Sequence, residues 1–375
     1  MKVQSLPSLK RLTDRVRDDL YSGGKDIVLI FAHNSVGKTR LSMAFKDVAK
    51  RRPNGRADTL YFNAFTEDLF SWDNDLDEDV HRYLQINKQS TFLNDFPSVE
   101  MDTRIRVFLQ RYADFEFRID PASYRVTFSR KERGRRWDAA SGAMVETART
   151  LDEIKISRGE ENLFIWCFFL AVVQLSIDTS ISAYKWVKYV YIDDPVSSLD
   201  DNNAIAVAHD LTAIMRRGLD TPSAVKFIVS SHHSLFFNVV CNELRDKKAK
   251  RYYIGRPNKG VSYDLHSTND QPFFHHIAML AELKQAAADG TLKTYHFNEM
   301  RGILERTARF FGYNHFSRCL DKFDDATLYE RALQLLSHRT YSLFDATEMV
   351  EDNKDLFRRI LAAYLSKYEF ELPTT

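Results

Sequence analysis

Tyr189-Val190-Tyr191-Ile192-Asp193-Asp194-Pro195-Val196-Ser197-Ser198-Leu199-Asp200 is the stretch from which the fold can be read. Aromatic and β-branched residues without a polar interruption describe a strand buried on both faces, as in a parallel sheet. The strand ends on two adjacent carboxylates, the Walker B arrangement, in which Asp193 would position Mg²⁺ and Asp194 would polarise an attacking water. A second apolar strand, Ile27-Val28-Leu29-Ile30-Phe31, runs into Ala32-His33-Asn34-Ser35-Val36-Gly37-Lys38-Thr39, and a helical stretch follows from Thr39 to about Arg51. Strand, tight loop and helix N-terminus are the context of a phosphate-binding loop. Backbone N–H groups cradle phosphates there, Lys38 reaches the outer phosphates and Thr39 holds Mg²⁺. Asn34, Ser35, Gly37 and Arg40 complete the expected nucleotide-binding segment. Ala32 replaces the usual first glycine, and Ser35 stands where many such loops have another, which is acceptable where φ stays negative.

Two further stretches flank these strands. Ile156-Ser157-Arg158-Gly159-Glu160-Glu161 lies upstream of Tyr189, and Phe227-Ile228-Val229-Ser230-Ser231-His232 lies downstream as a strand ending in histidine. Each has a bland reading as a helix cap or a core strand. In this order they resemble the ABC ATPases, with Ser157, Gly159 and Glu160 in the signature, Asp200 in the D-loop and His232 as the γ-phosphate switch. That resemblance implies ATP or GTP with Mg²⁺ at Thr39 and Asp193. It also implies a head-to-tail homodimer in which the signature of one subunit closes over the nucleotide held by Lys38 of the other. No glutamine of the usual Q-loop kind is assigned.

Strands alternating with helices up to about residue 265 indicate a doubly wound α/β core with an insertion at about 66–152. A composition shift at Ser267-Thr268-Asn269-Asp270 marks the expected boundary, beyond which 266–375 reads as amphipathic helices. The clearest is Leu292–Phe311, with Phe297, Met300, Leu304 and Phe311 on one stripe. The net charge of +1 carries no global signature for nucleic acid, but Ser129–Trp137 and Arg245–Tyr253 are local basic clusters with aromatic neighbours. Such clusters are ordinarily solvated faces. Cys167, Cys241 and Cys319 are scattered, which fits reduced thiols rather than a disulfide framework or zinc site. The apolar run Phe164–Leu175 is too short to cross a bilayer and the N-terminus lacks a signal core, so a cytoplasmic protein without a membrane partner is expected.

The last third carries Arg301-Gly302-Ile303-Leu304-Glu305 on a helix and Ser337-His338 further on. Taken alone, Arg301 and Glu305 are an ordinary i,i+4 salt bridge and His338 a cap or core residue. The three would nevertheless suit metal-independent RNA cleavage, which needs a base for the ribose 2′-OH, an acid for the leaving 5′-oxygen and a cation for the phosphorane. The residues alone leave other classes open. One is a regulatory ABC ATPase presenting its helical tail to a separate nuclease. Another is a DNA-repair ATPase, against which stands the lack of a coiled-coil pattern between Thr39 and Ser157.

The chain resembles the PrrC-type anticodon nucleases, bacterial antiphage toxins with an N-terminal ABC ATPase and a C-terminal ribonuclease, over nearly its whole length. Gly37-Lys38-Thr39-Arg40-Leu41-Ser42, Ile192–Asn202 and above all Asn63-Ala64-Phe65-Thr66-Glu67-Asp68-Leu69-Phe70 with Trp72-Asp73-Asn74-Asp75 carry the likeness. Ala32, Ser35 and Arg158 within the signature depart from the usual motifs. The resemblance implies that Arg301, Glu305 and His338 form a ribonuclease triad. It further implies cleavage of tRNA, most often lysine tRNA, 5′ to the wobble base with 2′,3′-cyclic phosphate and 5′-hydroxyl ends. A type I restriction–modification complex is the implied silencing partner.

Overall fold

A computed structural model describes residues 3–34, 36–51, 55–63, 70–73, 83–87, 101–138, 143–195, 201–222, 224–255, 262–268, 274–321, 325–337 and 348–368. The chain divides into two compact units, Gln4–Asn269 and Asp270–Thr375, with Met1–Val3 grouped with the latter.

In the first unit seven strands form the main sheet. Their spatial order is β1 (Val3–Leu6), β12 (Tyr263–Ser267), β11 (Ala249–Gly255), β2 (Ile27–Phe31), β10 (Lys226–Ser231), β9 (Tyr189–Asp193) and β3 (Thr59–Asn63). From β11 to β3 the neighbours are parallel, and β12 is antiparallel to β11. The sheet is therefore mixed, and β11 and β12 add to the strands read from the pattern. Arg245–Tyr253, read as a basic cluster, includes most of β11, whose register places Tyr253 beside Phe31. Helices α1 (Leu9–Tyr21) and α2 (Lys38–Lys50) cover one face, packing Leu12, Val16, Leu41 and Phe45 on Val28, Ile30, Tyr191 and Ile228. Between them Arg17 is buried in an ion pair with Asp58 at 3.0 Å, its guanidinium 4.2 Å from the Phe45 ring centre.

Helices α4 (Arg158–Ile177), α5 (Asp201–Asp220) and α6 (Ser234–Glu243) serve the opposite side. There Phe62 of β3 meets Trp166 and Phe169 of α4, and Phe31 meets Phe237 of α6. A second, antiparallel sheet has the order β4 (Phe70–Asp73), β5 (Tyr83–Ile86), β7 (Arg125–Asp138), β6 (Phe115–Asp120), with β8 (Ala143–Leu151) also on β7. Phe70, Phe117 and Phe128 of this sheet pack on Phe164 of α4. Helix α3 (Met101–Leu109) precedes β6. Enclosure from both sides explains why α4 is apolar all round. At 20 residues α4 is longer than the apolar run within it and is long and apolar enough to cross a membrane. Its side chains instead pack against protein, 78% of the apolar window being buried.

The second unit contains α7 (Phe274–Ala288), α8 (His296–Phe310), α9 (Ala326–Ser337) and α10 (Glu351–Lys367). Met300, Ile303 and Leu304 of α8 share a core with Leu283, Leu333, Phe357 and Ile360. Thr307 and Tyr364 hydroxyls join α8 to α10 at 2.7 Å. Phe311 does not extend the buried stripe. The helix stops before it, and Phe311 is 48% exposed at the C-cap. Leu292–Tyr295 likewise lies outside the helix, which begins at His296.

Candidate functional site

Four elements converge at the C-terminal ends of β2, β10 and β9, where open parallel sheets bind ligands. The P-loop strand β2 and the carboxylate strand β9 are both wholly buried, with β10 between them. The Ala32 amide continues the ladder by donating to the Ser231 carbonyl at 3.1 Å. Ala32 is itself buried, so the methyl group in place of the usual glycine points into protein. Gly37 closes the loop at φ +110°, a conformation that strains any other residue. Among the described residues no side chain caps α2 at Gly37, and free first amides at a helix N-terminus suit an anionic ligand.

Lys38 is buried, its ammonium donating to the carbonyls of Ala32 (3.1 Å) and His33 (3.3 Å) and to Asn34 Oδ1 (3.4 Å). It also lies 3.3 Å from Asp194 Oδ2. Asp194 occupies a left-handed conformation at φ +55°, with its amide held by the Ser230 carbonyl at 2.8 Å. Its carboxylate accepts from the amide of His232 and the hydroxyl of Ser231, both at 3.1 Å, and meets His232 Nδ1 at 2.6 Å. Burial alone would raise this carboxyl, but the His232 bond and the Lys38 charge outweigh it and hold it below its ordinary value.

Asp193 behaves in the opposite sense. It is 1% exposed, takes hydroxyl bonds from Ser230 (2.6 Å) and Ser42 (3.0 Å), and is pushed up by burial and the neighbouring Asp194 charge. Two adjacent carboxyls with pKa values driven apart are a feature of functional sites. Thr39 and Arg40 are exposed on the first turn of α2. Ser35 and Asp200 lie outside the described residues. Hard oxygen donors at Asp193 and a buried cation at Lys38 form a donor set suited to a magnesium–triphosphate ligand.

Ser157 caps α4 in a reciprocal box: its amide donates to Glu160 Oε2 at 2.7 Å, and its hydroxyl accepts from the Glu160 amide at 3.3 Å. Glu160 also binds Arg130 of β7, and these bonds outweigh burial to keep its carboxyl below the usual value. Space around Gly159 is open, with nothing within 4 Å of where a Cβ would lie.

In the second unit, Arg301 Nε donates to Glu305 Oε1 at 2.8 Å along one face of α8, and the guanidinium sits 5.4 Å from the Phe316 ring centre. Both side chains are partly exposed, at 22% and 42%. His338 lies outside the described residues, so the structure brings together only two of the three expected residues.

Comparison with known proteins places this geometry in a family. A family profile described as "AAA domain" matches residues 144–363, a span holding Asp193, Asp194, His232, Arg301 and Glu305 but not the Lys38 loop. An Escherichia coli protein named "Anticodon nuclease" is 34% identical over 347 residues, covering 84% of this chain and 82% of that relative. The chain belongs to the PrrC-type anticodon nucleases. For a member of this family with a P-loop ATPase domain, nucleotide binding is the coarse assignment.

Sequence reasoning missed several residues that the structure places in or beside these clusters. Ser42 is one helical turn beyond Lys38 and on its face, a spacing that marks it as a neighbour of whatever Lys38 approaches. Ser230 and Ser231 were read only as the end of a strand, yet each binds one of the two carboxylates. Arg306, next to Glu305, is buried enough for its pKa to be lowered, first by desolvation and then by the Arg309 charge. No sequence signal separates it from the exposed arginines around it.

Proposed function

We propose that this protein is a nucleotide-gated endoribonuclease that cleaves tRNA in the anticodon loop. The observation that carries the reading is the identity to a relative named for that activity across both units, with Arg301 and Glu305 juxtaposed on α8. Cleavage would fall 5′ to the wobble base, lysine tRNA being the first substrate to test. Glu305 and His338 share the proton work: one takes the proton of the ribose 2′-OH as its oxygen attacks phosphorus, the other protonates the departing 5′-oxygen. Arg301 offsets the charge of the phosphorane. The products are a 2′,3′-cyclic phosphate and a 5′-hydroxyl, and the step requires no metal.

The gate is an ABC-type site for ATP or GTP. Lys38, Asn34, Ser35, Gly37 and Arg40 hold phosphates, Thr39 and Asp193 hold Mg²⁺, and Asp194 with His232 orients the attacking water. The bound magnesium would neutralise phosphate charge. Ser157, Gly159, Glu160 and Asp200 would face the nucleotide of the other subunit in a head-to-tail homodimer. Exposure of the Ser157 cap and the open space at Gly159 support this role. In a cytoplasmic antiphage setting, a type I restriction–modification complex would keep the toxin silent.

The test expresses the wild type and His338→Ala, then maps new 5′-hydroxyl ends across all cellular tRNAs. Ends at one anticodon in wild type and none in the variant are the expected result. No new ends with nucleotide supplied and restriction partners absent would favour a regulatory ATPase acting with a separate nuclease.

A further inference from the structure

Just beyond Glu305, α8 carries three side chains whose chemistry the fold does not use. Arg306, Arg309 and Phe310 stand at i, i+3 and i+4, so they are neighbours on one side of the helix. Arg309 is also one turn from Glu305, with about 5–6 Å expected between their Cβ atoms. Arg306 is half-buried, its Nη1 lies 4.0 Å from Met279 Sδ of α7, and desolvation followed by the Arg309 charge lowers its pKa. A thioether is a weak acceptor and cannot neutralise a cation. Glu305, whose charge favours the Arg306 cation, is bonded to Arg301 instead. Among the described residues no carboxylate forms an ion pair with Arg306 or Arg309. In the last turn Arg309 complements the helix dipole, an ordinary place for a cation. That account does not cover a desolvated arginine set against a like charge, an arrangement that opposes folding until an anion relieves it.

The ring beside these cations is bare but well supported. Phe310 is 84% exposed and meets Phe311 edge to face at 5.2 Å. Phe311 stacks on Tyr313 and Tyr368, at 5.9 and 5.4 Å between ring centres. Tyr368 rests on Tyr364, whose hydroxyl meets that of Thr307 on α8. Two cations without carboxylates next to an anchored aromatic surface are complementary to a single RNA strand. Phosphates would meet the guanidinium groups, and an unstacked base would meet the ring.

We propose that Arg306 and Arg309 hold phosphate beside the scissile position and that Phe310 stacks on an unpaired base of the anticodon loop. All three are positioning residues, which fix the strand so that the scissile phosphate lies against Arg301 and Glu305. The proposal rests on tRNA being the substrate.

The experiment measures filter retention of unfractionated tRNA on ice by the full chain across a salt series. It compares the wild type with Arg306→Met, Arg306→Met/Arg309→Gln and Phe310→Ala. Arg245→Gln/Lys248→Gln, which removes two exposed charges from the first unit, is the charge-matched control. The Arg306/Arg309 double variant is expected to bind at least about tenfold more weakly and to flatten the log–log salt slope by about one. Phe310→Ala should lose about fivefold or more at every salt concentration. The control should stay within about twofold of wild type. Arg306→Met keeps the contact with Met279 while removing a desolvated charge, so its melting temperature should hold or rise as its RNA binding falls. A lowered melting temperature for Arg306→Met would make that arginine structural and overturn the proposal. Unchanged binding by the double variant, an equal loss in the control, or a larger loss for duplex DNA than for tRNA would also overturn it. Cleavage is scored in parallel. Binding losses as expected without cleavage by the wild type would sink the nuclease reading and leave the RNA contacts standing. Cleavage by the wild type with unchanged binding by the double variant would sink the contacts alone.

Discussion

The nucleotide cluster and the Arg301–Glu305 pair are built on different principles. Lys38, Asp193, Asp194 and His232 are distant in sequence and are brought together because β2, β10 and β9 are neighbours in one parallel sheet. Their contacts are buried and mutually dependent: Asp194 alone serves Lys38, Ser231 and His232. Arg301 and Glu305 need only one turn of one helix, and water reaches both. A buried network has an energetic logic visible in the fold itself, whereas an exposed i,i+4 pair is worth little to stability. Geometry singles out the first cluster, and kinship with the Escherichia coli relative singles out the second.

Separate replacement is the sharpest way to break that contrast. Glu305→Gln should lower tRNA cleavage by roughly a hundred- to ten-thousandfold, the range for removing a general acid or base. It should leave nucleotide turnover and the melting temperature unchanged, because the lost ion pair is surface-exposed. Loss of stability comparable to the loss of activity would return Arg301–Glu305 to a structural role. Lys38→Met should reduce nucleotide turnover by roughly a hundred- to a thousandfold, measured as phosphate release at saturating magnesium. If cleavage then proceeds at the wild-type rate without nucleotide, gating by this site is wrong.

Much of the first unit was legible because its strands are short apolar runs ended by polar residues with a task. Ile27–Phe31 and Tyr189–Asp193 could hardly be read otherwise. β11 was not legible, because Lys250 and Arg251 break the apolar pattern. The structure shows why it is still a core strand: Lys250 reaches the Ser267 hydroxyl, Arg251 caps two carbonyls, and the tyrosines supply the buried surface. The second sheet was seen only at Tyr124–Ser129, since the strongly charged run Arg130–Arg136 that continues β7 interrupts the apolar pattern. Phe311 was misplaced because helical spacing continues past the residue where the backbone turns. His338, Ser35 and Asp200 remain expectations, lying outside the described residues.

The two Walker carboxyls separate stability from function within one site. Asp194 is held below its ordinary pKa, so its folded-state contribution is present above the unfolded value and fades as pH falls through the folded one. Asp193 is raised, so its charge opposes folding at neutral pH and protonation relieves it. Asp194→Asn should therefore cost about 1.5–3 kcal/mol in urea unfolding at pH 7, through the lost charge-assisted bonds, although asparagine tolerates the same positive φ. Asp193→Asn should match or exceed wild-type stability while abolishing magnesium-dependent turnover. Equal destabilisation by both would remove the opposition between the two groups.

The smallest expected effect lies at Ser157. Replacing it with alanine removes one half of the capping box, about 1 kcal/mol of local stability, and leaves Arg130 still able to bind Glu160. If Ser157 serves only the fold, that cost is the whole consequence, and turnover per folded molecule is unchanged at every protein concentration. If it faces the nucleotide of a second subunit, dimer formation in the presence of nucleotide weakens beyond what the lost cap explains. Turnover per chain then falls steeply on dilution, more steeply than for Arg130→Gln, which loosens the same capping box without touching the serine. Sedimentation and phosphate release across a dilution series separate the two outcomes, because a cap acts within one chain and a signature residue acts only across two.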